Sequence, residues 1–262
     1  MDNLYQVILL GIIEGVTEFL PISSTGHLLI VEHWLGRRSD LFNVAIQAGA
    51  ILAIVIIFWR RLWNITVHVS QPENRDYLFK LSGSFMVTVV GLLIAKKLGL
   101  ELPDTVAPVA WALVIGGFAI FAVESYASRQ PPSDVLTWRV AIWVGIGQIV
   151  AAIFPGTSRS AATIFAAMLA GMTSRPAAAE FAFIIGIPTM FAATAYESYE
   201  VYKSGGGAEN WGDLALGFVV SAVVAFIVVK WLLHYVQTHR FTPFAWYRIV
   251  LGALLLVGVG SD

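Results

Sequence analysis

Cysteine is absent from the 262 residues, which excludes disulfides and thiol catalysis. Charge is scarce as well, at 13% of residues, and the formal net charge is −1. That balance leaves no basic footprint for nucleic acid, so none is expected as a partner. The opening residues carry Asp2 rather than Lys or Arg, and no small-residue cleavage site follows, so no cleavable signal peptide is expected. What replaces charge is oil. The chain is 58% hydrophobic, carries 9 Trp and has a mean hydropathy of +0.76. A soluble core of this size needs no such share of apolar residues, and an integral membrane protein does.

Six apolar runs read as spans: Leu41–Trp59, Phe79–Leu98, Val106–Val123, Ala177–Tyr196, Leu214–Leu233 and Phe244–Val259. Two further pairs of runs are interrupted. Leu4–Leu20 and Ser24–Leu35 flank Pro21, and Trp138–Phe154 and Ser160–Met172 flank the polar turn PGTSRS. Ser24–Leu35 is too short to cross a bilayer, so each pair reads as a re-entrant hairpin, allowed only where protein or water covers its non-helical backbone. The GGGAEN stretch at 205–210 reads as a loop, with Tyr199, Tyr202 and Trp211 as interfacial anchors.

The interrupted pairs match. Gly11 aligns with Gly145, Glu14 with Gln148, Pro21 with Pro155 and Ser24 with Ser158, all at an offset of 134 residues. The expected fold is therefore an all-α polytopic helical bundle of two inverted repeats, each a broken-helix hairpin plus three transmembrane helices. As one membrane domain, repeat one covers 1–123, a polar connector 124–136, and repeat two 137–262. With the first hairpin entering from outside, the inner ends hold nine Lys and Arg and the outer ends five, while Arg159 and Arg248 lie within the membrane. That asymmetry favours both termini outside.

The chemistry gathers in Glu14–His27, EGVTEFLPISSTGH. Ionisable groups at membrane depth are costly to desolvate and mark functional sites. Glu14 and Glu18, four apart, share one helix face. They either ligate Mg²⁺ or Ca²⁺, or one serves as general base on a water; the plain alternative is a solvated face. Pro21 stops the helix, and Ser23, Ser24 and Thr25 cap the next, whose free N–H groups and hydroxyls suit a phosphate. A nucleophilic serine or threonine needs a base in reach, which His27 or a glutamate supplies. His27 reads as a proton donor or nucleophile, or else as a buried hydrogen-bonding histidine. Thr157, Ser158, Arg159 and Ser160 repeat the pattern. The Arg159 fork suits phosphate oxygens, with an ion pair to Glu14 or Glu18 as the alternative. Gln148 reads as a supporting hydrogen bonder, Arg248 and Glu180 as side chains reaching a span end, and Gly49, Gly116 and Gly117 as helix contacts.

Glu14-Gly-Val-Thr-Glu18 resembles an (E/Q)xxxE motif, and Pro155-Gly-Thr-Ser-Arg-Ser-Ala-Ala-Thr163 resembles a PGxSRSxxT motif. Both belong to the bacterial undecaprenyl pyrophosphate phosphatases of the bacitracin-resistance type. Phe42-Asn-Val-Ala-Ile-Gln-Ala-Gly49 and Pro243-Phe-Ala-Trp-Tyr-Arg248 extend the likeness nearly end to end. The resemblance implies a bacterial plasma-membrane hydrolase that converts undecaprenyl pyrophosphate to undecaprenyl phosphate and phosphate. It would recycle the lipid carrier of the cell wall and confer bacitracin resistance, with a divalent cation, Mg²⁺ or Ca²⁺, and a site open to the outer face. Glu14 and Glu18 would hold metal or activate water, and Arg159 would clamp the pyrophosphate. Ser23, Ser24, Thr25, Gly26, Gly156, Thr157, Ser158 and Ser160 would contact phosphate, with Ser23 also a candidate nucleophile and His27 catalytic. A homodimer is compatible with this reading. The rival class is a lipid-phosphate flippase or ion-coupled transporter, because inverted repeats with broken helices are chiefly a transporter plan.

Overall fold

The computed structural model describes residues 2–100, 105–203 and 210–259. Among them are eleven α-helices and no strand. Five are long and apolar enough to cross a membrane: α3 (Asp40–Ile57), α5 (Pro72–Lys97), α6 (Val106–Ala127), α9 (Arg175–Lys203) and α10 (Trp211–Thr238). The sixth expected span is the shorter apolar helix α11 (Thr242–Val259). All six expected positions are helical. The expected loop at 205–210 falls, apart from Asn210, outside the described residues.

Several helices outrun their apolar runs. The 28 residues of α10 extend about 42 Å at ~1.5 Å per residue, against a hydrocarbon core of about 30 Å. Their ends therefore reach the headgroup zone, where Tyr202 and Trp211 stand exposed. Helix α5 starts at Pro72, seven residues before the apolar run, because proline suits a first turn and Glu73 sits favourably there. A short helix the sequence reading did not anticipate, α4 (Trp59–Val67), connects α3 to α5. Glu124 belongs to α6 rather than to the polar connector. It is buried, accepts from Arg175 Nε at 2.9 Å and takes the Phe241 N–H at 2.7 Å.

Both interrupted pairs are present. α1 (Asp2–Thr17) and α2 (Ser24–Leu35) form the first, and α7 (Trp138–Ile153) and α8 (Arg159–Leu169) the second. At 12 and 11 residues, α2 and α8 are too short to span alone. Packing repeats in the same way: Gly11 of α1 meets Gly217 and Val220 of α10, and Gly145 of α7 meets Ser84 and Val87 of α5. The caps refine the alignment. Ser23 caps α2 and accepts the Gly26 N–H, while Ser158 caps α8 and accepts the Ala161 N–H. The structural partner of Ser158 is thus Ser23, not Ser24. Pro155-Gly-Thr-Ser is one residue longer than Pro21-Ile-Ser, so the offset of 134 holds up to the prolines and becomes 135 beyond them.

Candidate anion-binding site

Non-helical backbone in an apolar interior must find partners for its carbonyls. Here each turn borrows them from elsewhere in the chain. Leu20 O accepts from Ser160 Oγ at 2.9 Å. Arg248 donates to Pro21 O at 3.2 Å in the first turn, and to Gly156 O at 3.1 Å and Thr157 O at 3.0 Å in the second. It also donates to Ala112 O and Leu113 O of α6. Arg248 is fully buried, so it does not reach a span end as expected; it braces both turns against α6. Gly116 makes room for it, since a Cβ there would lie 2.1 Å from Nη2. All three glycines are helix–helix contacts as expected, Gly116 against the Arg248 guanidinium of α11, Gly49 against the Phe218 backbone and Gly117 against Ile249 and Ala245 O.

Ser23 and Ser158 sit at φ 76° and 71°, a region non-glycine residues rarely adopt. Such backbone costs about 1–3 kcal/mol per residue and persists where the surroundings enforce it, commonly at functional sites. Both serines line one cavity of about 210 Å³, along with Glu18, Ser24, Thr25, Gly156 and Arg159. Gln47 and Thr189 place it near the middle of α3 and α9. The two turns therefore converge.

Inside it, Arg159 Nη2 donates to Glu18 Oε1 at 3.1 Å, and Ser24 Oγ donates to Glu18 Oε2 at 2.5 Å. The ion-pair alternative for Arg159 is thus realised with Glu18. Its other terminal nitrogen, Nη1, is buried and finds no partner. A buried donor left unpaired is expensive, and here it belongs to a cation. Gly186 of α9 admits this head group: a Cβ there would lie 2.3 Å from Nη1.

Glu14 lines a neighbouring polar cavity of about 390 Å³ with Glu32, His33, Arg37 and Asn43, which shares Ser24, Thr25 and Gln47 with the first. Its Oε2 is buried and also lacks a partner. Gln148, at the Glu14 position of the second half, lines the first cavity and is held by Thr88 at 2.9 Å and Thr189 at 2.8 Å.

Other expected site residues stand apart. His27 lines neither polar cavity. Its Nδ1 pairs with Ser23 O at 2.7 Å and its Nε2 with the Tyr247 hydroxyl at 2.6 Å, the two rings stacked. Gly26 is buried against Val109, Thr157 faces an apolar cavity, and Ser160 supports Ser158 and Leu20. Among the described residues no three His, Cys, Asp or Glu group together as a ready metal site. The orphaned Glu14 oxygen and the nearby Glu18 are nonetheless the hard oxygen donors a Mg²⁺ or Ca²⁺ ion takes, with phosphate and water completing the shell.

Fold and site together define a polytopic helical membrane protein with a cleft, lined by serines, Glu18 and Arg159, between two interrupted helix pairs. The chain belongs to the family described as bacitracin resistance protein BacA, which it matches over residues 7–254. An undecaprenyl-diphosphatase of Rhizobium etli is 61% identical over 257 residues, covering 98% of this chain and 97% of that one. One of Xanthomonas oryzae pv. oryzae is 58% identical over 258 residues with the same coverage, 98% and 97%. A third, from Rhizobium johnstonii, is 60% identical over 257 residues and likewise covers 98% and 97%.

Proposed function

We propose that this protein is an undecaprenyl-diphosphatase, releasing phosphate from undecaprenyl pyrophosphate and returning undecaprenyl phosphate to cell-wall synthesis. The observation that carries the reading is the single cavity where two serine-capped helix starts, an under-bonded Arg159 and the Glu18–Ser24 pair converge. Helix N-termini and a guanidinium are what a diphosphate needs, and a hydroxyl on a carboxylate is what phosphoryl transfer needs.

In this scheme the diphosphate displaces Glu18 from Arg159, which then grips the phosphate oxygens through its fork. Ser24 Oγ attacks the terminal phosphorus while its proton passes to Glu18. The bond from that phosphorus to the bridging oxygen breaks, and its electron pair leaves with undecaprenyl phosphate. Water then attacks the phosphorus, the P–Oγ bond breaks, Glu18 returns its proton to Ser24 Oγ, and phosphate leaves with the water's oxygen and protons. Ser23 serves as a cap, and His27, tied to Ser23 O and Tyr247, positions the first turn. Glu14 and Glu18 would hold Mg²⁺ or Ca²⁺, which when bound supplies charge neutralisation for the phosphate oxygens.

We further read the two halves as inverted across a bacterial plasma membrane, with the site opening outward. The nine-to-five distribution of Lys and Arg supports this. So does the wider polar cavity, which runs from Glu14 towards Arg37 at the Arg38–Asp213 end of the bundle.

Purified protein should liberate phosphate from a polyprenyl diphosphate, EDTA should stop it, and Glu18→Gln should nearly abolish it. Lipid carried across vesicles with no phosphate released would support the transporter instead.

A further inference from the structure

The polar cavity has two neighbours of opposite chemistry. On one side it merges with the Glu14 cavity described above. On the other it meets a largely apolar cavity of about 430 Å³ between α5, α7 and α9, whose lining also includes Lys96, hydrogen-bonded to Tyr196, and Glu197. Thr88, Leu92, Ala152, Thr189 and Ala193 line both spaces, so the polar and apolar cavities share a wall. The threonines do not interrupt the apolar side. Thr88 bonds Ser84 O and receives Gln148 Nε2, while Thr189 donates to Gln148 Oε1 and Ile185 O, so both hydroxyls are occupied. Ala152, Ala192 and Ala193 keep the floor shallow, and all three are exposed, as is Leu93 on the opposite wall. The groove is therefore open sideways, where the bilayer lies.

An amphiphile whose headgroup enters the polar cavity must lead its tail somewhere apolar, because burying hydrocarbon among carboxylates forfeits the hydrophobic gain. Resting on the diphosphatase reading, we infer that the α5–α7–α9 groove seats the first isoprene units of the substrate, the remainder of the chain lying in the bilayer. A second apolar cavity of about 450 Å³, between α6, α7 and α8, is as roomy but has no residue in common with the polar cavity. A chain held there has no shared wall through which to deliver its diphosphate.

The groove favours diphosphates that carry an isoprenoid chain over the bare headgroup, and this preference can be separated from the chemistry. Ala192 lines only the apolar groove, and Ala119 lines only the unconnected cavity. In full-length protein reconstituted in nanodiscs, Ala192→Trp should raise KM for a long-chain polyprenyl diphosphate about tenfold, through lost hydrocarbon contact. Inhibition by inorganic pyrophosphate, a headgroup without hydrocarbon, should be unchanged, and Ala119→Trp should alter neither. Equal losses for both diphosphates in Ala192→Trp, or a chain-selective loss in Ala119→Trp alone, would overturn the assignment.

If Ala192→Trp does not fold, the wild-type protein still decides. A polyprenyl diphosphate with a diazirine on its first isoprene unit should label Leu93 or Ala192, and labelling of Ala119 or Trp143 instead would refute the groove. Labelling at Leu93 without any phosphate release would keep the groove and sink the diphosphatase reading.

Discussion

Ser23 and Ser158 hold the same rare backbone, and each caps a short helix that enters the same cavity. Around these matched serines the side chains diverge. Upstream of each turn, Glu14 and Glu18 of the first half stand where the second has Gln148 and Ala152. One residue downstream, Ser24 of the first half corresponds to Arg159 of the second. One hairpin brings carboxylates and hydroxyls, the other a cation. The two turns thus share a backbone frame but differ in side chains, and under the proposed function the first half would handle the proton while the second would complement the anion's charge.

The comparison breaks most sharply at Arg159. Arg159→Ala leaves Glu18 buried without its cation and removes the diphosphate clamp, so kcat/KM for phosphate release should fall about 10³-fold or more. Arg159→Lys should recover only part of this, since an ammonium lacks the planar fork. If Arg159→Ala keeps most activity, the second half is scaffold rather than clamp.

The next effect concerns what the halves share. Arg248→Met removes donors to five carbonyls in both turns and α6, and should cost about 3 kcal/mol or more, read as a lower thermal midpoint in detergent with loss of activity. Smaller still is Gly186→Ala, which crowds Arg159 without removing any cavity side chain. A displaced guanidinium should lower kcat/KM about 10–100-fold with little change in melting. Gln148→Leu should have the least effect on turnover, about tenfold or less, acting through the freed hydroxyls of Thr88 and Thr189. A loss as large as that for Glu18→Gln would mean the halves share the chemistry more evenly.

Much of this was readable from residues alone. Pro21 and Pro155 with their trailing hydroxyls are local signals, so both helix breaks could be placed within a few residues. Glu14, Glu18 and Arg159 were conspicuous because charge in oil has few explanations. What sequence concealed was relational. A constant offset hides a one-residue insertion inside a short turn, so Ser158 paired with the wrong serine. Arg248 looked like a residue reaching for water because carbonyl acceptors leave no trace in side-chain identity. His27 pointed on paper at the phosphate, but Tyr247, 220 residues later, holds its Nε2. Gly186 carries no chemistry of its own, and only the proximity of Arg159 gives it meaning.

The brace at Arg248 also bears on movement. A carrier that opens to each side in turn must let its interrupted segments swing apart. One guanidinium here clasps both of them to the same helix, so parting them would strand several carbonyls in a dry interior. Separating the two turns would therefore require Arg248 to release the carbonyls of at least one of them.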